Sequence, residues 1–180
     1  MSCGDGAAAR CTRRAARSAD SSSARASASS GLAITEISIR DLPLYCYDLD
    51  TDLPPPARRF KSGVSASDGL LVVTPEYNRS VPGALKNALD WGSRPWGDNS
   101  WHGKKAAIIG TGRSGAGTAV AQAHLRSILG YLGMTVMGAP ETCVPWRDGV
   151  LSDPTTTDYL TAFLDALTSH VSPPVAAGHR

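Results

Sequence analysis

Apolar and polar side chains follow two different periods along the chain, and from Leu32 onward these periods predict alternating strands and helices. Residues 34–39 alternate apolar with polar side chains, which indicates a strand with one buried face. Residues 69–74, which are stopped by a proline, and residues 105–109 are continuous apolar runs, typical of strands that are buried on both faces. Residues 135–137 predict one more short strand.

Helical spacing predicts three helices among these strands. Residues 83–91 form the first, and the second ends at Gly133 after leucines and an isoleucine recur at i, i+3, i+4 and i+7. Asp153 and Pro154 are typical of the cap and the first position of a last helix, which runs to about Val171. Residues 50–56 are interpreted as a proline-rich loop. Strands alternating with helices in this way predict an α/β fold, in which a doubly wound parallel sheet forms one domain of residues 32–171.

Composition excludes several classes of protein. The chain has 180 residues, 42% hydrophobic and 19% charged, which suits one domain with an ordinary core. No apolar run approaches the roughly 20 residues that span a bilayer, so no membrane partner is expected. The four cysteines include no C-x-x-C pair and no cysteine–histidine spacing typical of a metal site, so we expect neither a disulfide scaffold nor a metal. A reducing, cytoplasmic setting is the resulting prediction.

Charge and composition both set residues 1–31 apart from the rest. Residues 1–30 carry five Arg and two Asp, whereas the remaining 150 residues are nearly neutral and offer no basic face for nucleic acid. The same thirty residues hold nine Ala and eight Ser and no Val, Ile, Leu, Phe, Tyr or Trp. Three interpretations stay open: a disordered tail, a transit peptide, and a segment that replaces a first strand and loop. Residues 172–180, with two consecutive prolines, are interpreted as a flexible tail.

Two loops of unusual composition follow two of the predicted strands. Residues 75–83 have proline near both ends, which stiffens the backbone, and residues 110–117 contain four glycines, which let a flat ligand approach the main chain closely. Ligands of doubly wound sheets bind beyond the carboxyl ends of the strands. The two loops are therefore predicted to grip a planar ring between them.

The glycine-rich segment also matches part of two nucleotide-binding motifs. Gly110, Gly112 and Gly115 satisfy G-x-G-x-x-G, but this segment follows a late strand and lacks an acidic residue at the tip of the next strand. The dinucleotide interpretation is therefore disfavoured. Ala116 stands where a P-loop requires lysine, which excludes a nucleoside triphosphate site of that kind.

Residues 71–91 carry a long and specific pattern, P-E-Y-N-x-S-x-P-G-x-L-K-N-x-x-D-W after a buried strand. This pattern closely resembles the NAD(P)H-dependent FMN reductases, a flavodoxin-like group that includes quinone, chromate and azo-dye reductases. The resemblance continues through residues 103–105, the glycine-rich segment, residues 122–126 and residues 140–141, and covers about residues 32–170.

The resemblance implies a flavodoxin-like fold that binds FMN and NAD(P)H, with the flavin ring on the backbone of residues 75–78. It also implies that the flavin itself performs the hydride chemistry, so no side chain is expected to be catalytic. The acceptor would be a quinone or similar small molecule, reduced in a ping-pong mechanism by a homodimer or homotetramer. The residues expected to contact FMN are Pro75, Glu76, Tyr77, Asn78, Ser80, Thr111, Gly112, Arg113, Ser114, Gly115 and Gly117.

The chain departs from the family where the phosphate of FMN binds. Family members open with a hydrophobic strand and a Gly-Ser-x-Arg-x-x-Ser-x-Asn loop, and neither is found before Ile34. In the strand order 2-1-3-4-5 the absent strand belongs between the strands at 34–39 and 69–74. A misread start of the coding sequence is one hypothesis for this segment. We expect weak FMN binding or an unstable chain, and the alternative function is a non-catalytic remnant that acts as a binding or structural subunit.

Several side chains have two interpretations each. Arg79 and Arg113 could attract a nucleotide phosphate or simply be solvated. Arg126 and Glu141 are expected to pair, within the chain or between subunits. The tryptophan cluster forms either a packed corner or a lid or partner surface: the packed corner is favoured for Trp91, and both interpretations stay open for Trp96 and Trp101. His124 and Cys143 are expected to be structural.

Overall fold

The computed structural model describes residues 8–12, 32–112, 117–145, 147 and 153–172. Within these ranges the chain forms one mixed sheet with helices packed on both of its faces. The strands are β1 (Ala8–Thr12), β2 (Ile34–Ile37), β3 (Gly69–Thr74), β4 (Lys105–Gly112), β5 (Thr135–Val136) and β6 (Thr142–Pro145). The helices are α1 (Pro55–Ser65), α2 (Gly83–Gly92), α3 (Ala119–Tyr131) and α4 (Pro154–Val171), with a short 3₁₀ helix at Tyr47–Thr51.

The strand order is β2-β1-β3-β4-β5, and β6 also pairs with β4. β3 and β4 run parallel, with Thr74 opposite Gly110 at their carboxyl ends. β5 pairs with the start of β4, at Lys105 and Ala106, whereas β6 pairs with its end, from Ile109 to Gly112. β5 and β6 are therefore two halves of one interrupted strand. The single short strand predicted at residues 135–137 is only its first half, and Cys143 lies in β6 rather than after the final strand.

The interpretation that no strand precedes Ile34 is wrong. β1 lies between β2 and β3, the position that the doubly wound order assigns to the first strand. Residues 8–12 therefore occupy the place of that first strand in the sheet. β1 runs antiparallel to both neighbours, however, with Cys11 opposite Leu70 and Ala8 opposite Val73. The strand was not predicted because its sequence, Ala-Ala-Arg-Cys-Thr, lacks the large apolar residues typical of a buried strand.

The hydrophobic core is divided by the sheet into two layers. On one face, α1, α2 and α3 cover β3 and β4 in a layer that includes Phe60, Trp91 and Leu125. On the other face, α4 packs through Phe163 and Leu167 against Ala107 and Ile109. These two layers confirm the predicted architecture of a sheet covered on both faces.

Helix α1 was not predicted. Two prolines open it, and their fixed φ angle suits the first turn of a helix, where no amide hydrogen is needed for an intrahelical bond. The interpretation of residues 50–56 as a loop is therefore wrong at its end, and the buried face of Ala57, Phe60, Lys61 and Val64 is the helical pattern that could have shown it. None of the helices in the described ranges combines the length and apolar character needed to cross a membrane.

The other predicted helices are confirmed. α2 covers the predicted residues and one more, and α3 buries Leu125, Leu129 and Leu132 before Gly133, whose φ of 83° ends the helix in the left-handed region. α4 begins after Asp153, whose carboxylate accepts a hydrogen bond from the Thr156 hydroxyl at 2.7 Å. This hydrogen bond holds the pKa of Asp153 below its usual value.

Candidate functional site

The two loops singled out in the sequence begin side by side. The proline loop (residues 75–83) leaves the carboxyl end of β3, and the glycine loop (residues 110–117) begins at the end of β4. Because Thr74 and Gly110 are paired in neighbouring parallel strands, the two loops start about 4.8 Å apart. Both lie at the edge of the sheet where doubly wound folds bind ligands.

A tight turn fixes the tip of the proline loop. The amide of Tyr77 donates to the carbonyl of Ser80, and the amide of Ser80 donates to the carbonyl of Tyr77, each at 3.0 Å. Between them Asn78 and Arg79 have φ angles of 50° and 62°. Two consecutive left-handed residues define a type I′ turn, which costs energy when neither residue is glycine. The backbone of this loop is therefore held in one shape.

Two side-chain contacts join the proline loop to helix α3. Glu76 is nearly buried, and its Oε2 accepts hydrogen bonds from the backbone amides of Val120 at 3.1 Å and Ala121 at 3.0 Å. Ser80 Oγ lies 3.1 Å from Nδ1 of His124 on the next turn of α3. His124 is exposed, so its role is this contact with the loop rather than packing in the core.

The glycine loop is packed closely where it begins and where it ends. A Cβ atom on Gly110 would lie 1.6 Å from Oγ1 of Thr118, which is itself buried. Gly117 has a φ of 59°, and a Cβ there would lie 3.0 Å from Sγ of Cys143. The first and last glycines of the loop are therefore required by space and backbone conformation, independently of any ligand.

The pairing of β3 with β4 brings together the starts of the two loops that hold the predicted site residues. Pro75, Glu76, Tyr77, Asn78 and Ser80 lie in the proline loop, whereas Thr111 and Gly112 end β4 and Gly117 lies two residues before α3. Arg113, Ser114 and Gly115 lie outside the described residues. The side chain of Arg79 is largely exposed to solvent, and its guanidinium lies 3.5 Å from Oε1 of Glu76.

The structure decides between the two interpretations for three further features of the sequence. Trp91 and Trp101 are buried and donate to the carbonyls of Pro43 and Leu89, so both belong to a packed corner. Arg126 pairs with Glu141 at 3.5 Å within the chain. Trp146, like Arg113, lies outside the described residues.

Trp96 is exposed beyond the carboxyl end of α2. The ten residues of α2 span about 15 Å, which separates Trp96 from the proline loop at the other end of the helix. This distance disfavours a lid over the site and leaves the partner surface as the interpretation of Trp96.

Sequence reasoning missed the polar residues that support the glycine loop from beneath. Gln122 is buried and donates to Oγ1 of Thr118 at 3.0 Å and to the carbonyl of Thr142 at 2.9 Å. It thereby ties the start of α3 to β6, on the far side of the glycine loop from β3. The four-residue spacing of Thr118 and Gln122 was the available signal.

The described residues fit the ring of a flavin better than its phosphate. Two main-chain loops begin at the adjoining ends of β3 and β4, and Gly112 brings no side chain to that edge of the sheet. β1, by contrast, ends at Thr12 opposite Ile34, the first residue of β2. The segment after β1 therefore begins at the edge of the sheet opposite to the two loops.

Comparisons with known proteins agree with this geometry. Residues 3–145 match the family model described as NADPH-dependent FMN reductase. The chain is 49% identical over 135 residues to a 2-hydroxy-1,4-benzoquinone reductase from Burkholderia sp, an alignment covering 72% of this chain and 74% of that protein. It is 40% identical over 150 residues to a quinone reductase from Pseudomonas putida, covering 80% and 81%. Among solved structures, the flavoenzyme NAD(P)H:(acceptor) oxidoreductase FerB from Paracoccus denitrificans superimposes with a TM-score of 0.72 at 42% identity, covering 75% of this chain and 78% of that one.

Proposed function

The chain belongs to the family of NADPH-dependent FMN reductases, and from this membership we propose that it passes reducing equivalents from NAD(P)H through FMN to a quinone or similar small acceptor. The family makes it an oxidoreductase that uses FMN and NAD(P)H. The quinone is proposed because two of its relatives, at 49% and 40% identity, are described as reductases of quinones.

The observation that carries this proposal is the juxtaposition of the two loops at the ends of β3 and β4. The proline loop supplies a backbone fixed by the type I′ turn at Asn78 and Arg79. The glycine loop supplies main chain that a flat ring can approach closely at Gly112. Gly112 has no side chain that would obstruct such an approach. A planar ring held at one edge by the amides and carbonyls of these loops would leave one face open to a second planar molecule.

When bound, FMN supplies the hydride chemistry, and the protein supplies binding and orientation. The residues of the proline loop would hold the ring through their backbone, so substitutions of their exposed side chains should matter less than changes in loop shape. We further propose that the nucleotide and the acceptor use the same open face in turn. Such shared use requires the first product to leave before the second substrate binds, which is a ping-pong mechanism.

We also propose that the protein is a homo-oligomer, joined through the outer face of α2 and α3. A groove of about 430 Å³ lies there, lined by Tyr131 and Arg94 among others. Arg94 in turn lies 5.6 Å from the ring centre of Trp96, and Trp96 and Tyr131 are 81% and 82% exposed. Tyr131 lines the groove itself, whereas Trp96 is linked to it through Arg94. Large exposed aromatic residues are typical of an interface. A cytoplasmic location stays a prediction from the cysteine content.

An anaerobic assay with NADPH, FMN and 1,4-benzoquinone tests the function. The expected result is nucleotide oxidation well above the rate with the same FMN and no protein, with parallel double-reciprocal plots when both substrates are varied. Turnover no faster than free flavin would instead favour the non-catalytic remnant, while intersecting plots would reject only the ping-pong order.

A further inference from the structure

The side chain of Glu76 points away from solvent and into the start of helix α3. This side chain is 11% exposed, and one carboxylate oxygen accepts hydrogen bonds from the amides of Val120 and Ala121 at 3.1 and 3.0 Å. These amides belong to the second and third residues of α3. They are the positions that an N-terminal capping group normally binds.

Helix α3 has no cap of its own. Thr118, the residue before the helix, makes no side-chain capping bond, and the first turn contains no acidic residue. The hydroxyl of Thr118 instead accepts a hydrogen bond from Gln122. The first amides of a helix lack intrahelical partners, and a carboxylate there is favoured by the helix dipole. Glu76 therefore supplies the cap of α3 from a loop 44 residues earlier in the chain.

This contact ties together the two loops of the candidate site. The β3–β4 pairing fixes only their starting points, at Thr74 and Gly110. The glycine loop ends at Gly117, two residues before α3 begins, so the position of the helix start determines where that loop ends. Glu76 holds the proline loop against the same helix start. The distance between the loops is therefore fixed at two places: at the strand pair Thr74–Gly110, and where Glu76 binds the start of α3.

We propose that Glu76 is a positioning residue, which fixes the spacing of the proline and glycine loops and thereby the fit of the flavin ring between them. This inference rests on the proposed function, because it concerns the same site. Arg79 contributes little to the link, since its side chain is 71% exposed and its guanidinium lies 3.5 Å from the other carboxylate oxygen. The two backbone amides carry the link.

The test uses three variants of the full chain and a phosphate-free probe. Glu76→Ala removes the link, and Glu76→Gln keeps a side-chain oxygen that can accept from the same amides. Asn99→Ala is the matched control, because Asn99 also makes two hydrogen bonds, to the carbonyl of Leu132 at 2.9 Å and from the amide of Trp101 at 3.0 Å, at the opposite end of α3. Lumiflavin reports the ring site alone, and its binding is followed by fluorescence quenching and by the visible absorption of the bound ring.

The expected result separates the variants. Loss of two charge-assisted hydrogen bonds in Glu76→Ala should weaken lumiflavin binding about tenfold or more, whereas Glu76→Gln should retain affinity within about threefold. Asn99→Ala should leave the affinity and the absorption spectrum unchanged although it lowers the melting temperature. Hydrogen exchange should show faster exchange at Val120 and Ala121 in Glu76→Ala without flavin present.

Three outcomes would overturn the positioning role, and one of them would overturn the proposed function as well. Equal lumiflavin affinity in wild type and Glu76→Ala, with wild type binding measurably, rejects the positioning role and leaves the proposed function standing. Equal loss in Asn99→Ala and Glu76→Ala also rejects it, because general destabilisation would then explain the effect. A wild-type chain that binds neither lumiflavin nor FMN rejects the proposed function, and the positioning role with it.

Discussion

Replacing Gly110 by alanine should destabilise the protein through one identifiable collision. The new Cβ would lie 1.6 Å from Oγ1 and 2.7 Å from Cβ of Thr118. Neither residue can move aside freely. Gly110 is held between its strand partners Thr74 and Cys143, and Thr118 is buried. The side chain of Thr118 must rotate or the start of α3 must shift, and either movement disturbs the hydrogen bond from Gln122.

The size of the effect follows from these contacts. Overpacking a well-filled site costs about 1–3 kcal/mol, and loss of one buried hydrogen bond adds about 1 kcal/mol. The expected loss in free energy of unfolding is therefore about 2–4 kcal/mol. In a protein of this length that loss lowers the melting temperature by roughly 4–16 °C, at about 2–4 °C per kcal/mol.

Urea and thermal unfolding, followed by circular dichroism, measure this loss against two comparisons. Gly130→Ala is the control, because nothing lies within 4 Å of its added Cβ and alanine favours a helix, so stability should stay equal or rise by up to about 1 kcal/mol. Thr118→Gly removes both colliding atoms, so adding Gly110→Ala to that variant should cost much less than in wild type. An equal cost in both backgrounds, or a loss below about 0.5 kcal/mol in wild type, refutes the collision as the cause.

Three other predictions concern the rest of the chain. Burial lowers the pKa of Lys61, although Asp98 counters the effect. The unfolded chain therefore binds more protons at alkaline pH, and the free energy of unfolding should rise with pH up to about 10.4. Unfolding of wild type and Lys61→Met across this range should show the rise in wild type alone. Asn87→Ala removes the hydrogen bonds that Asn87 accepts from the Tyr45 amide and donates to the Pro43 carbonyl. The free energy of unfolding measured in urea should fall by about 1–3 kcal/mol, and an unchanged value would contradict this prediction. FMN should bind less than about tenfold tighter than riboflavin, and a preference of about a hundredfold in parallel titrations would demonstrate a phosphate anchor in the protein.

The sequence predicted the elements whose pattern depends on burial alone. β3 and β4 are central strands, so their residues are apolar on both faces and stand out as continuous runs. The loops after them were found by composition, since prolines and glycines mark unusual backbone wherever the fold places it. Helix α1 was missed because prolines that open a helix look the same in a sequence as prolines that end a strand.

The link between Glu76 and α3 could not have been predicted in the same way. Its partners are the backbone amides of Val120 and Ala121, and an amide carries no sequence signal. Thr118, a residue type that commonly caps helices, stands at the N-cap position, so nothing in the sequence shows that an outside group caps α3. Contacts of a side chain with distant backbone depend on the full topology, and residues that set the geometry of a site through such contacts therefore escape analysis by motif.

The direction of β1 determines how the candidate site is divided along the chain. In a sheet of parallel strands, the loop after the first strand reaches the same edge as the loops after β3 and β4, so one edge holds both ends of a bound nucleotide. Here Thr12 lies opposite Ile34 and Cys11 opposite Leu70, so β1 ends at the other edge. The proline loop and the glycine loop are positioned by β3, β4 and α3, and none of these elements needs β1 to run in a particular direction. If the two loops bind the ring as proposed, ring binding and phosphate binding are expected to be separable in this chain. Riboflavin and lumiflavin, rather than FMN alone, then measure what the two loops contribute.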